Sequence, residues 1–219
     1  EYTALVASGS LSFFEAVKLV RKRAELMQAA VPSGSGSMAA ILGLDDQTVI
    51  EICSIANEKG VTEAVNFNSP GQVVIAGEKK AVAYACELMK EAGAKRALVL
   101  PVSVPSHCSL MKDAAMDFKH SVEAVNFQMG PEKVLHNVDA DYAISIEDIK
   151  SKLIEQLHKP VLWTSTVQKM KNSGVEKIIE AGPGKVLAGL TRRIDKSLTG
   201  SAIIDVTTLK STIEEILNA

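Results

Sequence analysis

Residues Ala97-Leu-Val-Leu-Pro-Val-Ser-Val-Pro-Ser-His-Cys108 join a predicted strand to a predicted helix. The apolar run at residues 97–100 is typical of a buried strand. Pro101 and Pro105 then exclude a helix and keep the backbone extended. His107 follows this rigid segment, and its imidazole titrates near neutral pH, so it can transfer protons there. The alternative is a hydrogen-bonded junction histidine without a chemical role.

The sequence before this stretch alternates between strand and helix patterns. Strands are predicted at residues 38–42, 62–66, 72–76 and 96–100, and helices at residues 45–56 and 78–92. The order βαββαβ is that of a ferredoxin-like domain. A connector of small residues, Val31-Pro-Ser-Gly-Ser-Gly-Ser37, precedes it and indicates a boundary. We therefore predict a compact ferredoxin-like subdomain at residues 34–102.

The remaining residues, 1–33 and 103–219, form the larger predicted subdomain. Strands at residues 134–137, 175–180 and 202–206 alternate with helices, which favours an α/β fold with a mostly parallel sheet. The last helix is predicted at residues 209–218. Gly182-Pro-Gly-Lys185 lacks the spacing of phosphate-binding and dinucleotide-binding loops, so we interpret it as a tight turn between strand and helix.

The composition excludes several classes of function. Of 219 residues, 47% are hydrophobic and 23% charged, and the net charge of −2 gives no basis for nucleic-acid binding. No apolar run reaches the length of a membrane span. The three cysteines form no disulfide framework and the four histidines have no metal-ligand spacing. We therefore predict a cytoplasmic protein without a metal site, nucleic-acid partner or membrane partner.

Ser12-Phe-Phe-Glu15 is a capping box and predicts a helix that runs to about residue 30. Its predicted core stripe consists of the apolar residues at helical spacing, namely Phe13, Val17, Val20, Ala24 and Met27. Arg23 is a lone cation between apolar side chains, and burying an unpaired guanidinium is costly. Its partner is then a carboxylate of the fold or the anion of a ligand. The alternative is an arginine whose head group reaches solvent.

Asn66-Phe-Asn-Ser-Pro-Gly-Gln72 connects two predicted strands. Asn, Ser, Pro and Gly are ordinary turn residues, so a tight connection is the default interpretation. The functional alternative is that the amide side chains of Asn66 and Asn68 line one wall of a cleft.

Four segments carry a resemblance to a known family. They are Glu1-Tyr-Thr-Ala-Leu-Val6, Asn66 to Gly77, Leu100 to Cys108, and Glu180-Ala-Gly-Pro-Gly-Lys-Val-Leu187. Together they resemble the bacterial malonyl-CoA:acyl-carrier-protein transacylases of type II fatty-acid synthesis over essentially the whole chain. The resemblance implies an α/β-hydrolase-like subdomain with an inserted ferredoxin-like subdomain. It also implies transfer of malonyl from CoA to the phosphopantetheine thiol of acyl carrier protein through a seryl ester.

The resemblance also implies roles for individual residues. His107 is the base that deprotonates the serine and then protonates the departing CoA thiolate. Gln156 is the residue whose backbone carbonyl orients that histidine, and the alternative for it is a solvated residue at a helix end. Arg23 binds the free carboxylate of malonyl, and Asn66 and Asn68 line the acyl or pantetheine channel. No cofactor is implied, because the CoA thioester is the substrate.

The family's Gly-His-Ser-Leu-Gly nucleophile elbow is absent from the 219 residues. We expect that the N-terminal part that carries the elbow, and the glutamine of the oxyanion hole, are missing here. Cys108 is a poor substitute, because it directly adjoins His107 in sequence. Two alternatives stay open at this point: an acyltransferase domain of a polyketide synthase, and a catalytically incomplete fragment that docks a carrier protein.

Overall fold

Helices and strands alternate along the part of the chain that the computed structural model describes, residues 1–102 and 104–217. In chain order they are α1 (Tyr2–Ala7), α2 (Phe13–Ala29), β1 (Gly36–Leu42), α3 (Asp46–Ala56), β2 (Thr62–Ser69), β3 (Gln72–Glu78), α4 (Lys79–Glu91), β4 (Arg96–Val99), α5 (Lys112–Glu123), α6 (Ile146–Glu155), α7 (Trp163–Asn172), β5 (Lys177–Ala181), α8 (Val186–Ile194), β6 (Thr199–Ile203) and α9 (Val206–Leu217). The chain forms two compact units, Glu1–Trp163 and Thr164–Ala219.

Strands β1 to β4 form one sheet in the first unit, in the order β2-β3-β1-β4. Every neighbouring pair is antiparallel. With α3 between β1 and β2 and α4 between β3 and β4, this is the predicted ferredoxin-like topology. The order of strands and helices predicted for the ferredoxin-like subdomain is confirmed. The subdomain limits of 34–102, 1–33 and 103–219 stay a prediction, and residues 103, 218 and 219 lie outside the described part.

The two faces of this sheet have different neighbours. Alternate side chains of a strand point to opposite faces. Ala39, Ile41, Val73 and Ile75 are buried in one cluster with apolar residues of α3 and α4. Met38, Val65, Val74 and Ala76 form a second cluster with Cys108. The sheet therefore buries the residue that follows His107.

Helices α1, α2, α5 and α6 share a separate core in the first unit. In α2 the predicted stripe is wrong for most of its members, because Phe13, Val17 and Val20 are 63%, 51% and 46% exposed. Met27 of the predicted stripe is buried, and the buried face also contains Ala16 and Leu19. The Phe13 face borders an apolar groove of about 440 Å³ that α1 also lines. At helical spacing, Arg23 lies on the same side of α2 as Leu19 and Met27.

The predicted cap of α2 is formed, and α6 begins with a similar cap. The Ser12 hydroxyl accepts a hydrogen bond from the backbone N–H of Glu15 at 3.3 Å, and the Ser145 hydroxyl accepts one from Asp148 at 3.1 Å. The strand predicted at residues 134–137 is reduced to a single bridge between Leu135 and Tyr142. Within the described residues, no helix has both the length and the apolar composition needed to cross a membrane.

The second unit contains a parallel pair of strands, β5 and β6. Strand β6 begins three positions earlier than predicted, and the predicted last residue of α9, Asn218, lies outside the described part. A turn joins β5 to α8, as predicted for Gly182 to Lys185. The Glu180 carboxylate accepts a hydrogen bond from the Ala188 N–H at 2.9 Å. A side chain of the unit itself therefore satisfies a donor in the first turn of α8.

Candidate active site

His107 is held by hydrogen bonds from its backbone and from its ring. Its N–H donates to the Leu157 carbonyl at 3.0 Å, and its ring Nδ1 lies 2.7 Å from the Gln156 carbonyl oxygen. A carbonyl oxygen can only accept, so Nδ1 carries the proton and Nε2 keeps its lone pair. The ring is thus fixed in the tautomer that leaves Nε2 free to accept a proton.

The backbone of His107 has φ = +68°, in the left-handed region that residues other than glycine rarely adopt. Such a conformation persists only where surrounding contacts enforce it. One of these contacts comes from Cys108, whose buried Sγ donates to the Pro105 carbonyl at 3.1 Å. Burial raises the pKa of Cys108 to about 12, so this thiol is an anchor and a poor nucleophile.

Gln156 caps the C-terminal end of α6 and is only 3% exposed, so it is not a solvated residue. Its Nε2 donates to the Lys159 carbonyl at 3.1 Å, which fixes the turn that follows the helix. Beyond the turn, Val161 donates to the Val65 carbonyl on β2 at 2.8 Å. The carbonyl that holds the imidazole therefore belongs to a turn with bonds at both of its ends.

Arg23 is partly exposed, and no carboxylate of the described residues lies within ion-pair distance of it. Its charge nevertheless acts on His107. Burial lowers the pKa of His107 below 6.5, the hydrogen bond to Gln156 opposes this, and the Arg23 cation lowers the pKa further. At neutral pH the imidazole is therefore uncharged. The base and the guanidinium belong to one electrostatic environment.

Two further residues of α1 and its N-cap share this environment. Burial raises the pKa of Tyr2, and the nearby Arg23 charge opposes that rise. The Tyr2 hydroxyl is buried and has no hydrogen-bond partner among the described residues. Burial raises the pKa of Glu1, whereas contacts with His136 at 3.2 Å and with the Asn137 N–H at 3.0 Å are among the effects that lower this pKa.

Asn66 and Asn68 lie on β2 and are partly exposed. The backbone of Asn66 forms a bridge to Val161, next to the turn that contains Gln156. Within the described residues, no side-chain hydrogen bond joins either asparagine to His107 or Arg23. The structure thus pairs His107 with Gln156, and the Arg23 charge acts on the same ring, whereas the two asparagines lie on β2. The channel role of Asn66 and Asn68 stays a prediction.

Sequence reasoning did not identify Glu63 or Ser109. The Glu63 carboxylate, on β2, accepts hydrogen bonds from the Ser109 N–H at 3.2 Å and from the Ser109 hydroxyl. The other side chains of β2 are uncharged, so the charge of Glu63 was the signal in the sequence that could have identified it. No cluster of three or more His, Cys, Asp or Glu in the described part of the chain is arranged to hold a metal ion.

Comparisons with known proteins identify the family of this chain. Residues 1–209 match the family model described as acyl transferase domain. The malonyl CoA-acyl carrier protein transacylase of Haemophilus influenzae is 51% identical over 217 residues, which is 99% of this chain and 69% of that protein.

Two solved structures are also similar. An acyl-carrier-protein S-malonyltransferase from Burkholderia pseudomallei is 50% identical with a TM-score of 0.96, over 98% of this chain and 70% of that one. A malonyl-transacylase solved in complex with a type II PKS acyl-carrier protein is 46% identical with a TM-score of 0.96, over 98% of this chain and 69% of that one. This chain therefore belongs to the acyl transferase family, among its malonyl-CoA–acyl carrier protein transacylases.

Proposed function

We propose that this chain supplies the base and the acyl-recognition residues of an enzyme that transfers malonyl from CoA to acyl carrier protein in fatty-acid biosynthesis. The observation that carries the proposal is the 2.7 Å hydrogen bond between His107 Nδ1 and the Gln156 carbonyl. It leaves Nε2 unprotonated, and the lowered pKa keeps the ring neutral at physiological pH. A neutral, oriented imidazole is what a weak hydroxyl nucleophile needs.

The nucleophile in this proposal is a serine outside these 219 residues. Its hydroxyl oxygen attacks the thioester carbonyl of malonyl-CoA while His107 Nε2 takes the hydroxyl proton. The C–S bond then breaks, and the imidazolium gives that proton to the departing CoA thiolate. The second half runs in reverse: the thiol of the carrier's phosphopantetheine loses its proton to Nε2 and its sulfur attacks the ester carbonyl. A C–S bond forms, the C–O bond to the serine breaks, and the departing serine oxygen takes the proton from the imidazolium.

Arg23 supplies specificity in this proposal. Malonyl carries a free carboxylate at the end of its acyl group, and a guanidinium binds a carboxylate with two parallel hydrogen bonds. Acetyl lacks that group and would leave the guanidinium unpaired, at a cost of about 1–3 kcal/mol. The absence of a protein carboxylate partner for Arg23 among the described residues supports this assignment.

The enzyme needs no cofactor in this mechanism, because the acyl group arrives activated as a thioester. Its partners are its two substrates, malonyl-CoA and acyl carrier protein. We place the reaction in the cytoplasm. The names of the relatives favour this function over the polyketide alternative. Three buried, unpaired cysteines also support a reducing compartment.

The test is formation of a covalent malonyl ester. The complete enzyme that contains this chain is mixed with malonyl-CoA, and its intact mass is measured before and after carrier protein is added. We expect a malonyl adduct that disappears with the carrier, and an acylation rate lowered about 10²- to 10⁴-fold by His107→Ala. His120→Ala, which changes an exposed histidine of α5, is the control. A folded enzyme that forms no adduct would contradict the proposal.

A further inference from the structure

Strand β2 holds both chain segments that form the His107–Gln156 pair. On the histidine side, the Glu63 carboxylate binds the N–H and the hydroxyl of Ser109. On the glutamine side, the backbone of β2 brackets Val161: Val161 donates to Val65 at 2.8 Å, and Phe67 donates to Val161 at 2.9 Å. Together with the direct bond from the His107 N–H to the Leu157 carbonyl, one strand of the ferredoxin-like sheet therefore helps to fix the distance between the imidazole and the carbonyl that orients it.

The two attachments differ in kind. Val161 is attached by main-chain hydrogen bonds, which any residue can make. Ser109 is attached by the side chain of Glu63 across 46 positions of sequence. Hydrogen bonds to an ionised carboxylate are stronger than those between neutral groups. The carboxylate is thus the chemically specific part of the connection.

The residue held by this connection is strained. His107 has φ = +68°, and relaxation to an ordinary backbone conformation would move its ring away from the Gln156 carbonyl. On its C-terminal side the ordered contacts are the buried Cys108 and the bonds from Ser109 to Glu63. Cys108 provides apolar packing, and Glu63 provides the directional hydrogen bonds.

We infer that Glu63 is a positioning residue for the proposed transfer: through Ser109 it keeps His107 in the backbone conformation in which Nδ1 meets the Gln156 carbonyl. The inference rests on the proposed function for its effect on rate, and on geometry alone for its effect on the imidazole. Glu63 touches no reacting atom in this assignment.

The experiment compares Glu63→Gln, Glu63→Ala and Ser109→Ala with Glu87→Gln, which changes an exposed glutamate of α4. The first readout is the ¹⁵N chemical shift of the His107 ring, which separates the Nδ1–H tautomer from the Nε2–H tautomer. We expect the wild-type and Glu87→Gln proteins to show the Nδ1–H form. Glu63→Ala should show a mixture, and Glu63→Gln, which keeps one acceptor oxygen, should lie between them.

The second readout is the rate of malonyl transfer by the complete enzyme. Because misplacing a catalytic group lowers rate without weakening substrate binding, kcat should fall about 10-fold in Glu63→Ala while KM for malonyl-CoA changes less than twofold. Glu63→Ala combined with Ser109→Ala should be no slower than Glu63→Ala alone, because Ser109→Ala removes only the hydroxyl bond, which Glu63→Ala has already removed.

A wild-type tautomer and a wild-type kcat in folded Glu63→Ala would overturn the inference, as would a loss of melting temperature with no change in either readout. If Glu63→Ala does not fold, the near-isosteric Glu63→Gln decides by the same two readouts. A wild-type enzyme that forms no malonyl adduct would refute the proposed function alone, because the tautomer readout does not depend on transfer.

Discussion

At the scale of single residues, the Arg23 charge tunes the basicity of His107. Burial and the nearby cation both lower the pKa of the imidazole, whereas the Gln156 carbonyl raises it. A cation that binds the acyl carboxylate is neutralised when substrate is present. The basicity of His107 should then rise on substrate binding, when a base is required.

Arg23→Ala therefore should raise the pKa of His107, because one of the two effects that lower it is removed. NMR titration of the histidine ring measures the change directly. Arg21→Ala is the matched control, since Arg21 lies on the same helix but pairs with Glu25 at 2.8 Å on an exposed face. Equal pKa values for His107 in wild-type and Arg23→Ala protein would contradict the electrostatic coupling.

The contacts between individual site residues could not be predicted from the sequence. Nothing local in it places Gln156 against His107, because the two are 49 positions apart and meet through a backbone atom. Their pairing came only from the family resemblance. Glu63 and Ser109, 46 positions apart, belong to no motif and were missed.

At the scale of elements, a buried ammonium group joins α6 to the loop before it. Lys152 lies 3.0 Å from Asp139 and 3.2 Å from Asp148, and it donates to the Tyr142 carbonyl at 2.9 Å. Its side chain is 9% exposed. Since α6 ends at the turn that contains Gln156, this cluster anchors the helix that presents the orienting carbonyl.

Lys152→Met should destabilise the first unit by about 2 kcal/mol, because it leaves two carboxylates and a partly buried carbonyl without their shared donor. Urea unfolding monitored by circular dichroism measures the difference. Lys119→Met removes an exposed pair with Glu123 on α5, and it should change stability by less than about 0.5 kcal/mol. Similar losses in the two variants would show that the buried cluster has no special importance.

The elements of the insert were predictable because turns and connectors separate its strands from its helices and each helix has one apolar face. Helix α2 was not, because it is apolar on two sides. Phe13, Val17 and Val20 follow the helical period as well as Ala16, Leu19 and Met27 do. Periodicity alone cannot show which of the two faces is buried. The packing of α5 against α2 determines which one is. The partial burial of Arg23 follows from that packing.

At the scale of the whole molecule, two partly buried histidines make stability depend on pH. Burial lowers the pKa of both His107 and His158 in the folded protein. In the unfolded chain each imidazole regains a pKa near 6.5. As pH falls below that value the unfolded chain binds protons first, so the free energy of unfolding decreases until the folded pKa values are reached.

We therefore expect the first unit to be less stable at pH 5.5 than at pH 7.5. Part of this difference should disappear in His107→Gln, which has no titratable ring. Urea unfolding of both proteins at the two pH values measures the effect, with His120→Gln as the exposed control. An unchanged pH dependence in His107→Gln would mean that His107 does not contribute to it.

The use of a main-chain oxygen to hold the imidazole has a genetic consequence. Aspartate in a serine–histidine–aspartate triad can be deleted by one codon change, whereas every amino acid at position 156 brings a carbonyl with it. A substitution at position 156 can loosen the turn, but it cannot remove the backbone carbonyl that accepts the hydrogen bond from His107. A carbonyl oxygen also does not ionise at any ordinary pH. His107 alone should therefore determine how many protons the His107–Gln156 pair carries at a given pH.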